Sequence, residues 1–146
     1  MGWLSRILGL GPTVNPEPGT QVAMIKGDGT YSAEVVGESH YQQAFERHFG
    51  PRTEDGVEEE IVATLVFEDN NKHDSNAVAV YVGGDKVGHL PRQDAAEFRQ
   101  QVASLNIPKG MPIQCNALVR GGWSRDGGRD KGRFGIALDI LLGEEA

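Results

Sequence analysis

The sequence predicts a small α+β domain, built as a partly closed β barrel with two inserted helices. Three observations predict it. Glycine fills 20 of 146 positions, about twice ordinary usage, which favours a turn-rich β architecture over a helical bundle. Short apolar runs punctuated by Gly, Asp and Asn recur along the chain, and two further stretches have helical spacing. Aromatics make up only 7% of residues, so the core is aliphatic, and the length is enough to bury one core without staples.

Residues 1–20 read as a flexible tail. Trp3, Leu4, Ile7 and Leu8 fall on one side of a short helix, ahead of a breaker-rich stretch with Pro12, Pro16 and Pro18. Such a tail is either a disordered terminus or an apolar peptide that docks on a partner protein. From residue 21 the pattern turns to β. Gln21–Lys26 and Tyr31–Val36 read as strands joined by the turn Gly27-Asp28-Gly29. Ser39 to Gln42 spells a capping box that starts a helix at His40. Its buried stripe is Tyr41, Phe45, His48 and Phe49, and Gly50-Pro51 stops it.

An acidic run from Glu54 to Glu60 leads into Ile61–Phe67, which is apolar on both faces and therefore central. Asp69–Ser75 reads as a polar loop, and Ala77–Val82 and Lys86–Leu90 as strands around Gly83-Gly84-Asp85. A second helix runs from about Pro91 to Asn106, with Ala95, Phe98, Val102 and Leu105 buried. Ile113, Cys115, Ala117 and Val119 form one face of the next strand. Phe134, Ile136, Leu138, Ile140 and Leu142 form one face of the last, with the loop Gly121–Gly132 between. The expected division is a tail over 1–20, a domain over 21–142 and a short C-terminal tail over 143–146.

Fourteen Lys and Arg against 21 Asp and Glu give a net charge of −7. That balance argues against wholesale coating of nucleic acid or an anionic membrane, so any phosphate binding must be local. The single cysteine, Cys115, excludes an internal disulfide framework and a cysteine zinc site. No run approaches the roughly 20 apolar residues of a membrane span. The start lacks a basic leader and does not read as a signal peptide, and Arg6 breaks the myristoylation pattern. A cytoplasmic protein with no membrane partner is expected. No Walker loop, G-x-S-x-G or H-E-x-x-H is present, so the reading is a non-enzyme with no cofactor.

Three segments carry the functional signal. They are Val36-Gly37-Glu38-Ser39-His40-Tyr41, then Asn70 to Val80 (NNKHDSNAVAV), then Val87-Gly88-His89-Leu90-Pro91-Arg92. In order and spacing they resemble the HIRAN domain. That domain occurs at the front of fork-remodelling, helicase-like enzymes and as a free-standing bacterial module. The resemblance covers about residues 31–142. It implies an OB-like antiparallel barrel that holds the end of a single DNA strand, in DNA repair or replication-fork processing. Bases would stack on aromatics while polar groups meet sugar and phosphates. Carried over, the pocket would be His40, Tyr41, Asn71, His73, Asp74, His89 and Arg92. His40 and His73 stand where strand-binding members usually present tyrosine. An imidazole stacks with less area, and its charge near phosphate depends on pH.

The same residues have plainer readings. Asn71, Asp74 and Asn76 can close their own turn through side-chain to backbone bonds. Tyr41 on the helix stripe can be core, and His89 can satisfy backbone groups ahead of a helix. Arg92 opposes the helix dipole, a mismatch expected of a site that needs the charge. His40, in the first turn of its helix, sits where an anion is stabilised. The loop from Arg120 to Arg133 is the net-basic stretch of an acidic chain. There Trp123 can stack on a base with Arg125 as cation partner, or fold onto the barrel beneath a solvated loop. Two rival functions remain open. One is a protein-interaction adaptor using the N-terminal tail and the acidic run. The other is a metal-dependent phosphodiesterase with His40, His73, His89 and Asp74 as ligands.

Overall fold

A computed structural model describes residues 14–142. The apolar tip at Trp3, Leu4, Ile7 and Leu8 and the terminal residues 143–146 lie outside the described residues. The chain runs β1 (Ala23–Ile25), β2 (Ala33–Glu34), a 3-10 turn (Glu38–His40), α1 (Gln42–Phe49) and β3 (Val57–Phe67). It continues with β4 (Val78–Val82), β5 (Asp85–His89), α2 (Arg92–Ala103) and β6 (Ile113–Gly121). A small hairpin, β7 (Trp123–Arg125) and β8 (Asp130–Gly132), precedes β9 (Gly135–Leu138).

The main sheet has the order β2-β9-β6-β3-β4-β5, with β1 laid parallel on β6 beside β9. It curls into a half-barrel, and its two edges meet at one point. Val36, just beyond β2, donates its N–H to the carbonyl of His89 at 2.8 Å, and His89 donates back at 3.0 Å. Two helices on a curled, mainly antiparallel sheet make an OB-like α+β fold. β3 is central as its two apolar faces require, pairing with β4 on one side and β6 on the other. Val78, Val80, Phe98, Val119 and Leu138 are fully buried, and Phe45 stacks on Phe134 with ring centroids 5.7 Å apart. Ile61 and Phe67, expected in the core, are half-buried and pack against it.

Several expectations are corrected. The segments around Gly27-Asp28-Gly29 form no hairpin: β1 pairs with β6, and β2 with β9. Buried Asp139 holds the intervening loop instead, accepting from the N–H of Gly29 at 2.9 Å. Ser39 caps nothing, because residues 38–40 form the 3-10 turn and α1 starts at Gln42. The Gln42 side chain reaches across to Phe134, donating to its carbonyl at 3.0 Å and accepting from its N–H at 2.9 Å. His48 leaves the buried stripe to bond Asp85 at 2.8 Å, and Leu105 is exposed because α2 ends at Ala103. The stretch Gly121–Gly132 folds as the β7–β8 hairpin. The last strand is only β9, although Phe134 and Ile140 on either side of it are buried.

No helix among the described residues is long and apolar enough to cross a membrane. Burial in the core pushes the Cys115 thiol up to about 12. A thiol reagent at neutral pH is therefore expected to leave Cys115 unlabelled in the folded protein and to label it in denaturant. Rapid native labelling, followed by mass spectrometry, would contradict the packing of β6.

Candidate nucleic-acid interface

The loop between β3 and β4 is built by its own polar side chains. Asn71 Oδ1 accepts from the N–H of His73 at 2.8 Å and of Asp74 at 3.1 Å, and Asp74 Oδ1 accepts from Asn76 at 3.0 Å. These bonds give the backbone the partners that a strand ladder would otherwise supply. α2 then clamps the loop from outside. Arg99 donates to the carbonyls of Asn76 and Ala77 at 2.8 and 2.9 Å, pairs with Asp69 at 2.7 Å, and lies over the Phe67 ring. Arg92 donates to the His73 carbonyl and lies 3.9 Å from the Asp74 carboxylate, while its side chain is 73% exposed.

Glu68, at the end of the β3 ladder, ties the three motif segments together. Its Oε1 accepts from Asn71 Nδ2 at 3.0 Å and lies 2.8 Å from His89 Nε2, and its Oε2 accepts from Lys86 Nζ. His89 in turn holds Val36 through the bridge that closes the barrel. The first motif thus meets the third by backbone, and the third meets the second through one carboxylate. Two motif glycines permit this. Gly37 has φ +81°, in the left-handed region. Gly88 leaves no room for a side chain against Val35 and Val36.

Burial works to raise the Glu68 carboxyl, but the bonds from Lys86, Asn71 and His89 outweigh it and bring it from an ordinary 4.5 down to about 2. Burial also works against the charge on Lys86, yet its bond to Glu68 raises its pKa. A depressed folded-state value contributes stability that is complete above about 4.5 and lost as pH falls through about 2. Discounted for partial exposure, Glu68→Gln is expected to cost roughly 1–2 kcal/mol at neutral pH. The difference from the parent should shrink as acid is added. Urea midpoints taken across the acid range check this, and a gap that stays constant would contradict it.

A cleft of about 760 Å³ opens beside this network, with Glu68, Asn71, Lys72, His73, Tyr81 and Lys86 among its walls. The side chains of Lys72 and His73 have no partner among the described residues. Asn71 lines the cleft with both side-chain polar atoms committed to Glu68 and to its own loop, and His89 adjoins the cleft through the bond of its Nε2 to Glu68. Asp74 caps its own loop. Tyr41 is the N-cap of α1 and packs against the core, which is the plainer of its two readings. His40 is exposed on the 3-10 turn that packs on β5, so the helix first turn expected to attract an anion is not beneath it. Trp123 belongs to a different cleft, with its indole N–H donated to Asp130 at 3.1 Å. Arg125 stands over the Trp123 ring and donates to the Glu54 carbonyl at 2.7 Å.

The expected single pocket is therefore divided. Asn71 and His73 share one cleft with His89 at its margin, Arg92 holds the loop, and Trp123 and Arg125 lie on the small hairpin. The alternative metal set also fails to gather. Among the described residues no group of three or more His, Cys, Asp or Glu side chains is placed to hold a metal ion. His89 turns to Glu68, and Asp74 turns to its own loop. Glu68 and Arg99 were not foreseen. The sequence hints were a charged residue at the end of an apolar strand and an arginine on a helix that follows a polar loop.

The family model of the HIRAN domain matches residues 28–107, from the loop before β2 to just past α2. That span contains all three motifs and leaves β6 to β9 outside it. Among curated proteins and solved structures, none matches the chain significantly. With three motifs interlocked in a curled OB-like barrel, and the match covering more than half its length, the chain belongs to the HIRAN domain family, whose members are generally nucleic-acid-binding domains.

Proposed function

We propose that this chain is a non-catalytic cytoplasmic module that engages single-stranded DNA, at an exposed strand end, in DNA repair or replication-fork processing. The observation that carries the reading is the contrast within one loop. Its backbone is fixed by Asn71, Arg92 and Arg99, while Lys72 and His73 present free side chains to the adjoining cleft. A fixed backbone with free tips keeps the entropy lost on binding small. Lys72 supplies a cation for a phosphate, and His73 a ring on which a terminal base stacks. Arg92, with most of its side chain in solvent, adds a second charge at the start of α2. The tail over 1–20 and the domain over 21–142 are the units of this reading, with the tail as a protein-docking peptide.

With net charge −7 and few cations at the cleft, only about two phosphate contacts are expected there, and they contribute about −1.4 to the log-affinity slope against log salt on a single strand. A titration of labelled single strands and of blunt duplex, at two salt concentrations, tests this. The single strand should bind more tightly, and its salt slope should stay shallow. Equal binding of blunt duplex would remove the strand-end reading. Absence of any binding at low salt, with the protein folded, would remove the nucleic-acid role altogether.

A further inference from the structure

A second cleft, of about 660 Å³, shares no lining residue with the first. The β2 side contributes Tyr31, Glu34 and Glu38, and the β6–β9 side contributes Arg120, Trp123 and Arg133. Its size suits a small ligand or one segment of a strand. The two arginines differ from the others among the described residues. Arg47 and Arg99 have aspartate partners, and Arg129 lies at the edge of pairing distance from Asp126. Arg52, Arg92 and Arg125 donate to carbonyls. Arg120 and Arg133 have no acceptor among the described residues, and both open into this cleft.

They are also neighbours. The β6–β9 register sets Arg120 opposite Gly135, two residues from Arg133. Two unpaired guanidiniums lining one cleft of an acidic protein offer an anion charge-assisted hydrogen bonds from both. Of the two carboxylates in the cleft, Glu38 is occupied, accepting from the Ile136 N–H at 2.7 Å, and burial raises its pKa. Glu34 and Glu38 both oppose an anion, and the β3–β6 register sets Glu58 opposite Arg120, so the two guanidiniums must outweigh these carboxylates. Trp123 is fixed in the wall by its bond to Asp130 and by Gly132, where an added Cβ would fall 2.3 Å from the ring.

We propose that this cleft is a second nucleic-acid contact, in which Arg120 and Arg133 take phosphates of the strand and Trp123 walls a base. The inference rests on the single-strand reading above and extends it to residues outside the family-matched segment. One bound strand would then be held at two separate places on the barrel.

The test compares two double variants of the full chain, Arg120→Ala/Arg133→Ala and Lys72→Ala/His73→Ala. Each is titrated with an oligothymidylate of about 16 nucleotides at several salt concentrations. Loss of two phosphate contacts should lower the magnitude of the salt slope by about 1.4 for the arginine pair and weaken binding roughly tenfold at low salt. Lysine at both arginine positions keeps the charge and should keep the slope. A loss with lysine equal to that with alanine would overturn the phosphate contact. Unchanged binding by the arginine pair, while the Lys72/His73 pair weakens, would overturn the second cleft and leave the first. Unchanged binding by both pairs would overturn the single-strand reading itself. Thermal melting of each variant confirms that the comparison is between folded proteins.

Discussion

A Gly88→Val variant is expected to lose roughly 3 kcal/mol of stability, and single-strand binding with it. A Cβ at Gly88 would lie 2.5 Å from Val35 Cγ1 and 2.8 Å from the Val36 carbonyl oxygen. The valine is buried and β-branched, so it has little freedom to turn away. The carbonyl is backbone, and it is the acceptor of the His89 N–H in the bridge that joins the two sheet edges. Relieving the clash therefore means opening the barrel where the first and third motifs meet, which also draws His89 from Glu68. For a domain of this size the melting temperature should fall by roughly 6–12 °C. An unchanged melting temperature would show that closure at Val36–His89 contributes nothing.

The second large effect is expected at Arg99, which touches neither cleft. Arg99→Ala removes two bonds to loop carbonyls, the pair with Asp69 and the contact over the Phe67 ring, at a cost of roughly 2–3 kcal/mol. Strand affinity should fall too, because the loop carrying Lys72 and His73 loses its outer clamp. Arg99→Lys should rescue little, since a single ammonium cannot serve two carbonyls, a carboxylate and an aromatic face together. Denaturant midpoints and the strand titration report on the two parts separately. Full binding by the alanine variant would mean that the loop needs no clamp from α2.

What the sequence revealed and what it hid have a common physical cause. β6 was legible because its alternation runs from Ile113 to Val119, where a one-residue slip would turn every core side chain outward, and β3 because Ile61–Phe67 is apolar on both faces. The first residues of β3, 57–60, were hidden in the acidic run, whose charges suggest a loop. β1 and β2 were misjoined because a glycine turn between two apolar runs is a local signal, whereas their true partners lie about 90 to 105 residues away. The helix start misled in the same way. Ser39 and Gln42 have capping-box spacing, but the Gln42 side chain finds its partners on Phe134. The β7–β8 hairpin was invisible because its residues are glycine and charge, and it is fixed by Trp123 packing on Gly132. At the site, the motif loop was found directly, while Glu68 gains its meaning only when the strand carrying Lys86 and His89 folds back onto it beside Asn71.

The central claim is that a single strand seats in the cleft beside the loop at residues 71–74. Mapping backbone amide shifts during titration with a short single strand tests it most directly. The largest shifts are expected at Lys72, His73 and Asp74, with a second group at His89 to Arg92. Shifts confined to β1 or α1, with the loop at 71–74 unmoved at saturation, would contradict it.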